Sequence, residues 1–220
     1  MNIKLFAASA LLALGLSATS TLASTMITQN GESVLITATA ATFSSTLTAT
    51  GFTMIDDFDG TLASGFTPSG GDFFTGTSGI AAAPPGDGTT YLGVQPNNSF
   101  TLTDNNASSL VAISFFMGSP DDYNGLSLTV NGTKGPINLT GTQIWGGAPA
   151  GNGDQSEGFL VTYTFSPDTV HSLTFSSTSP AFEVDNIAGM VPEPATWGLM
   201  IMGFGAAGAM LRGKRKQAVA

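Results

Sequence analysis

Short runs of β-branched and aromatic residues, separated by turn-forming residues, constrain the fold of this chain more than any other feature. Such runs recur from residue 33 to residue 189, and several alternate apolar and polar side chains, as at Leu126, Leu128 and Val130. Alternation with a period of two is typical of strands that bury one face. Asn131 and Gly132 separate two of these runs and predict a β-hairpin. The pattern predicts an all-β fold, a single jelly-roll-like β-sandwich, over residues 24–190.

The chain contains no cysteine. This excludes disulfide bonds, thiol nucleophiles and thiolate metal sites. The β-rich part has 167 residues, and a chain of about that length buries roughly two thirds of its surface on folding. We therefore expect a hydrophobic core that stabilises the domain without covalent cross-links.

The β-rich part is strongly acidic. Residues 24–190 contain 14 acidic residues, one lysine and no arginine, which gives a net charge of about −13. Nucleic acid is excluded as a partner, because binding phosphates requires a cationic surface. Cations and neutral polymers suit such a surface. The charge also has a simpler explanation, since self-repulsion keeps an exported acidic domain soluble.

The N-terminus has the organisation of a secretory signal peptide. Lys4 precedes an apolar stretch at residues 5–16, and small residues follow up to Ala23. This order of segments predicts a signal peptide at residues 1–23, cleaved after Ala23 or alternatively after Ser20. We expect the chain to pass through the Sec export machinery, which places residues 24–190 outside the cytoplasm.

A 15-residue apolar run at residues 197–211 is followed by a cluster of basic residues. As a helix the run would be about 22 Å long, against a hydrocarbon core of about 30 Å. Flanking residues must complete the span: Pro194 suits the first turn of a helix, Trp197 one membrane interface and the basic cluster the cytoplasmic interface. The sequence thus predicts a C-terminal transmembrane helix in the inner membrane.

These C-terminal residues resemble the PEP-CTERM sorting signal, in the variant with the pattern PEPxxWA. One departure is Gly198, where that variant usually has alanine. The resemblance implies processing by an exosortase, a membrane cysteine transpeptidase, which removes the tail near the Pro-Glu-Pro element. It also implies a Gram-negative host that makes exopolysaccharide, with transient anchoring before the protein reaches the cell surface or extracellular matrix. The signal spans residues 191–216 and includes Pro192, Glu193, Pro194, Trp197, Arg212, Lys214, Arg215 and Lys216.

A second resemblance covers residues 90–190. The stretches "FFMGSPDDYN" (115–124) and "AFEVDNI" (181–187) are similar to stretches of exosortase-dependent surface proteins of Gram-negative bacteria. This resemblance brings no defined chemistry.

Two acidic stretches suggest a calcium site. "MIDDFDG" (54–60) and "AFEVDNI" (181–187) look like the first and last strands of carbohydrate-binding-module jelly rolls, whose carboxylates hold a structural calcium. That resemblance implies Asp57, Asp59 and Asp185 as ligands, with a carbonyl oxygen from Asn186, and calcium accepts such oxygen ligands. The alternative is that these residues are solvated turn acids. We predict no other cofactor.

A polar cluster and a single tryptophan form a candidate glycan site. Asp122, Tyr123 and Asn124 follow a predicted strand, and Trp145 is the only tryptophan of residues 24–190. An exposed ring can stack on a sugar while neighbouring polar groups bond its hydroxyls. The alternative is a turn together with a loop residue that packs on the core.

Little in the sequence indicates catalysis. His171 is the only histidine, it lies in a strand-like run, and no Gly-x-Ser-x-Gly element is present, so a Ser-His-Asp hydrolase is not expected. A glycan-acting hydrolase needs only two carboxylates about 5–10 Å apart, but the sequence selects no pair, and this is the weakest alternative. We predict a non-enzymatic, exosortase-processed surface or matrix protein associated with exopolysaccharide; the main alternative is a calcium-stabilised carbohydrate-binding module.

Overall fold

The fold is a β-sandwich. The structure, a computed structural model, describes residues 21–106, 110–130, 135–147, 152–165 and 169–190, together with Met202 and Phe204. The described strands are β1 (Thr21–Gln29), β2 (Glu32–Ala40), β3 (Thr53–Asp56), β4 (Phe66–Gly70), β5 (Phe73–Thr75), β6 (Thr90–Val94), β7 (Ser99–Asp104), β8 (Ala112–Gly118), β9 (Asn124–Val130), β10 (Ile137–Thr140), β11 (Gly158–Phe165), β12 (Val170–Ser177) and β13 (Phe182–Met190).

The strands form two antiparallel sheets. The first sheet has the order β1-β2-β11-β8-β13-β6-β5, with β3 paired to β13, and the second has the order β10-β9-β12-β7-β4. β9 and β10 pair antiparallel, as the hairpin prediction requires, although its turn at residues 131–134 lies outside the described residues. The prediction of an all-β sandwich is confirmed.

The core lies between the inner faces of the two sheets. Phe115 from the first sheet meets Phe175 from the second with a ring-centroid distance of 5.0 Å, and Phe182 of β13 lies 5.5 Å from Phe175. All three rings are fully buried. Alternation along each strand directs these side chains inward, and the aromatic contacts stabilise the sandwich beyond the area they bury.

The outer face of the first sheet is covered at β8 and β13, whereas at β11 it is partly exposed, as at Thr164. Residues 41–52 and 76–89 cross it, and the Phe43 ring lies 6.0 Å from the ring of Phe116 on the outer side of β8. Gly118 is necessary for this covering, since a Cβ there would lie 2.6 Å from the Pro84 Cα. Residues 60–90 are not one continuous loop, because β4 and β5 lie there and Ala82 is buried.

The predicted targeting segments lie largely outside the described residues. Residues 21–23 of the predicted signal peptide open β1. In the predicted transmembrane segment only Met202 and Phe204 are described, and both are helical and exposed. Among the described residues, no helix combines the length and the apolar character needed to cross a membrane.

Candidate functional site

Strand β13 carries two acidic residues on the covered outer face of the first sheet. Phe182 and Val184 belong to the inner core, so Glu183 and Asp185 point to the opposite side. Glu183 is 2% exposed and Asp185 is 0% exposed. Buried carboxylates are uncommon unless they are paired or bind a metal, which makes this face the candidate functional region.

Asp185 faces two further acidic residues, and we call Asp59, Asp87 and Asp185 the acid cluster. Burial raises the pKa of Asp185 to about 9; the backbone N–H of Asn186 opposes this shift, and the neighbouring charges of Asp87 and Asp59 add to it. Asp87 also lies within hydrogen-bond reach of the Asp185 carboxyl. Asp87 is 9% exposed and belongs to the covering segment at residues 76–89.

Several oxygens on this face lack donors. Oδ1 of Asp185 accepts a 2.6 Å hydrogen bond from the Asn186 backbone N–H, and Oδ1 of Asp87 accepts one of 2.8 Å from the Thr89 N–H. The buried Oδ2 atoms of Asp87 and Asp185 have no hydrogen-bond partner, and neither does Oδ1 of Asn186. With a pKa of about 9, the Asp185 carboxyl is protonated at neutral pH and can donate a hydrogen bond to Asp87, and ionising it would require a compensating positive charge.

The described residues contain no lysine or arginine that could supply a positive charge. The acid cluster is instead fixed by its surroundings. Asn186 adopts a left-handed backbone conformation with a φ of 51°, and its Nδ2 donates to the carbonyl oxygens of Ser44 at 2.8 Å and Leu47 at 3.2 Å. Asp59 accepts a 2.9 Å hydrogen bond from the Thr90 N–H.

The predicted calcium triad is therefore not assembled as expected. Asp59 and Asp185 come together, but Asp57 stays in its own turn, where its Oδ1 accepts hydrogen bonds from the N–H groups of Asp59 at 3.0 Å and Thr61 at 2.8 Å. Within the described ranges, no three acidic or histidine side chains form a group that could hold a metal ion by themselves. Asp87 was missed because it lies in a Pro-Gly-rich turn, where an aspartate carries no signal beyond the turn.

The predicted glycan residues separate in the structure. Trp145 is 1% exposed and its ring lies 6.3 Å from that of Phe159, so the prediction of an exposed stacking ring is wrong. Asn124 is also buried, at 1% exposure, and cannot meet a ligand at the surface. Asp122 is exposed and Tyr123 is half-buried, which leaves these two accessible.

Tyr123 lines a second feature, which we call the distal pocket. This cavity of about 150 Å³ lies where β13 begins, at the opposite end of that strand from Met190. Loop residues 78–82 form one wall. The remaining lining comprises Ser119, Tyr123, Gly153, Gln155, Pro180, Ala181 and Glu183.

Glu183 supplies the buried acid of the distal pocket. Its Oε1 accepts a 2.9 Å hydrogen bond from the Ala82 N–H, whereas its Oε2 is buried without a partner. Burial raises the pKa of Glu183 to about 8, against the Ala82 hydrogen bond, and the nearby charge of Asp121 contributes to the rise. One signal for Glu183 is present in the sequence, an acid between two inward-facing apolar residues, but nothing in the sequence indicates which loop covers it.

The Asp121 carboxylate accepts a hydrogen bond from the Tyr123 hydroxyl. The Tyr123 hydroxyl lies 2.6 Å from Oδ2 of Asp121 and 2.9 Å from the Pro180 carbonyl oxygen. One hydroxyl proton serves only one acceptor fully. Burial raises the pKa of Asp121, which the Tyr123 hydrogen bond opposes. The region therefore offers more acceptors than donors.

His171 lies exposed on β12. It has the position expected of a surface strand residue.

Comparison with known families assigns the C-terminus. Residues 191–216 match the model described as the PEP-CTERM protein-sorting motif. The C-terminal segment is a PEP-CTERM sorting motif. The predicted signal is thereby confirmed, and it implies an exosortase-dependent surface protein that is exported with a membrane-anchored sorting signal.

Other comparisons add little. No protein with a curated description matches the chain. A family 29 carbohydrate-binding module has 12% identity and a TM-score of 0.37, covering 63% of this chain and 83% of its own. A peptidoglycan O-acetylesterase has 18% identity and a TM-score of 0.33, covering 63% of this chain and 33% of its own. Likenesses this weak carry no argument about function.

Proposed function

We propose that this protein is a non-catalytic component of the cell surface or extracellular matrix, processed by an exosortase and associated with exopolysaccharide. The observation that carries the proposal is the PEP-CTERM motif, which begins at residue 191, directly after β13 ends at Met190. The sorting motif thus follows the last strand of the domain directly in the sequence. The exposed position of His171 and the absence of cysteine from the sequence support a non-catalytic role.

The direction of β13 supports a binding role at the exposed end of the domain. Met190 leads into the sorting motif, and Glu183 lies seven residues earlier, about 23 Å away at roughly 3.3 Å per residue. The distal pocket is therefore at the end of β13 remote from the membrane signal. A surface protein that meets a polymer layer would use this end.

The processing step is tested by the mass of the protein recovered from the cell surface. We expect a chain that ends near the Pro-Glu-Pro element, because an exosortase would have removed the remainder. A surface form that still ends at Ala220 would contradict exosortase processing.

The matrix role is tested by affinity electrophoresis of the full chain, in a neutral detergent, through gels that contain the host's exopolysaccharide. We expect retardation relative to gels that contain an unrelated neutral polymer. Equal mobility in the two gels would reject association with the exopolysaccharide.

A second candidate function, calcium-stabilised carbohydrate binding, is favoured by the acid cluster. Calcium takes six to eight oxygens, drawn from carboxylates, carbonyl groups and water. Asp87 and Asp185 would supply carboxylate oxygens, with Asp59 beside them, and the unpartnered oxygens of this face suit a cation better than they suit an empty interior. Calcium bound there would cross-link β13 to the segments that cover it.

Thermal unfolding of the full chain in calcium and in EGTA tests this candidate. Calcium at about 100 times its Kd would stabilise the fold by about 2.7 kcal/mol, which raises Tm by roughly 5–10 °C for a domain of this size. Asp185→Asn should lose this rise, while the exposed control Asp122→Asn should keep it. Equal Tm values in calcium and EGTA for the unmodified protein would reject the calcium site.

A further inference from the structure

The distal pocket holds a buried acid that nothing else in the described structure neutralises. Glu183 is 2% exposed, its Oε2 has no hydrogen-bond partner, and the described residues include no lysine or arginine. A buried carboxylate without a partner is costly. The pocket therefore contains a carboxyl group with one oxygen that no described residue satisfies.

The rest of the pocket chemistry points in the same direction. The single Tyr123 proton is shared between Asp121 at 2.6 Å and Pro180 at 2.9 Å, so the hydroxyl oxygen is placed to accept a further hydrogen bond. The Pro180 carbonyl can also accept a second one. A ligand that brings several N–H donors and a positive charge satisfies these groups, as an ammonium group with its three donors does.

A metal ion fits this pocket less well than an ammonium group does. Glu183 is the only acid that lines the cavity, and its other oxygen is already held by the Ala82 N–H at 2.9 Å. Asp121 is directed to the Tyr123 hydroxyl. A calcium ion would need six to eight oxygens, and the described residues contain no group of three acidic or histidine side chains suited to a metal.

The size and walls of the pocket suit one small hydroxylated unit. Its volume is about 150 Å³, well above the roughly 10–15 Å³ needed to hold one water molecule. Ser119 and the exposed Gln155 line it beside Glu183, and both can bond hydroxyl groups. Ile80, which is 52% exposed at the edge, offers an apolar surface to the carbon face of a ring.

We propose that the distal pocket binds a protonated amino sugar, with its ammonium group at Glu183 and Tyr123 and its hydroxyls toward Ser119 and Gln155. This inference rests on the proposed matrix role only for the choice of a sugar as the carrier of the amine. The preference for an ammonium group follows from the pocket itself. Neither part requires calcium in the acid cluster.

Calorimetric titration of the full chain in neutral detergent tests the proposal. The probe is glucosamine at about pH 6.5, below the usual pKa range of an amino group, and glucose and N-acetylglucosamine are uncharged probes of similar shape. A charge-assisted hydrogen bond predicts that glucosamine binds at least about tenfold more tightly than glucose. Equal affinity for glucosamine and glucose would overturn the proposal.

Two variants locate the site. Glu183→Gln keeps the shape of the side chain and should weaken glucosamine binding by about tenfold or more, while Asp122→Asn removes a nearby exposed charge and should leave it unchanged. Gln155→Ala, at an exposed position, should weaken binding by a smaller factor and provides a second test if Glu183→Gln does not fold. Unchanged binding in a folded Glu183→Gln variant, or in Gln155→Ala where that is the variant available, would reject the site.

Further titrations distinguish an amino sugar from other amines and from a metal ion. Methylammonium or the lysine side chain of N-acetyl-lysine amide binding as tightly as glucosamine would overturn the sugar assignment. Competition by calcium that disappears in Glu183→Gln would make the pocket a metal site instead and reject the proposal. Glucosamine binding without retardation in exopolysaccharide gels would reject the matrix role but support the pocket assignment.

Discussion

The two faces of β13 differ sharply although both are buried. On the inner face Phe182 and Val184 join the aromatic core between the sheets, whereas on the outer face Glu183 and Asp185 are equally covered but lack basic partners. The inner face is stabilised by burial of apolar area. The outer face buries polar oxygens at a cost, which the raised pKa values of Glu183 and Asp185 express.

The largest expected loss of stability comes from a substitution in the inner core, at Trp145. We expect Trp145→Ala to destabilise the domain by about 3–5 kcal/mol, as large-to-small core substitutions do, because its ring is fully buried against Phe159. Chemical denaturation measures the loss. A variant with unchanged stability would mean that the ring is free at the surface, as the sequence had suggested.

A smaller effect is expected where the outer face meets its covering segment. A Cβ at Gly118 would lie 2.6 Å from the Pro84 Cα, so Gly118→Ala should destabilise by about 1–3 kcal/mol, as overpacking does. Gly88→Ala is the matched control, because a Cβ there meets nothing within 4 Å. If both variants melt alike, residues 76–89 do not pack against the sheet as described.

The fold was more predictable than the site, for a physical reason. Alternation at Leu126, Leu128 and Val130 reports one buried face, and this local signal is enough to identify strands. The site depends on long-range pairing. That Asp185 meets Asp87, and that Glu183 lies beneath Ala82, follows from which segment covers the outer face of the sheet, and no local pattern encodes that.

Trp145 also shows that a local sequence pattern does not determine the tertiary surroundings of a residue. A tryptophan in a Gly-rich stretch is compatible with an exposed binding ring and with a loop residue packed on the core, and only the neighbours decide between them. The hydrogen bond of 2.6 Å from the Tyr163 hydroxyl to the Ile144 carbonyl fixes the chain beside Trp145 against the core. The PEP-CTERM motif, in contrast, could be recognised from the sequence because it consists of contiguous residues and does not depend on tertiary contacts.

The outer face should also make stability depend on pH when calcium is removed. The pKa of Asp185 is about 9 and that of Glu183 about 8 in the folded chain, above the usual carboxyl range near 4. The folded state therefore binds more protons than the unfolded state between these values, and the free energy of unfolding in EGTA should fall as pH rises from about 4 to about 9. Asp87 and Asp59 face Asp185 and strengthen this trend by repulsion.

Asp185→Asn tests the pH dependence directly. The variant in EGTA should be at least as stable as the unmodified protein near pH 8, since it removes the cost of protonating a buried carboxylate on folding, and its stability should change less between pH 5 and pH 8. Urea denaturation at several pH values measures both. A steeper pH dependence in the variant would contradict the assignment of the raised pKa to Asp185.

The smallest expected effect concerns Asp57, which the sequence grouped with Asp59 and Asp185. Its Oδ1 accepts hydrogen bonds from the N–H groups of Asp59 and Thr61, and although slight burial works to raise its pKa, these hydrogen bonds lower it overall. An asparagine can still accept both hydrogen bonds, and the site is largely exposed. We therefore expect Asp57→Asn to cost less than about 1 kcal/mol and to leave the calcium-dependent rise in Tm intact.

Together, Asp57→Asn and Asp185→Asn show whether the calcium response depends on the turn at Asp57 or on the buried outer face at Asp185. If Asp57→Asn keeps the calcium response and Asp185→Asn loses it, the cation depends on the buried outer face, and Asp57 serves only its own turn. If Asp57→Asn loses the response as completely as Asp185→Asn, the ligand set would include the turn, and the covered face of β13 would not be the centre of the site. The comparison needs only melting curves in calcium and EGTA, with Asp122→Asn as the control for loss of one surface charge.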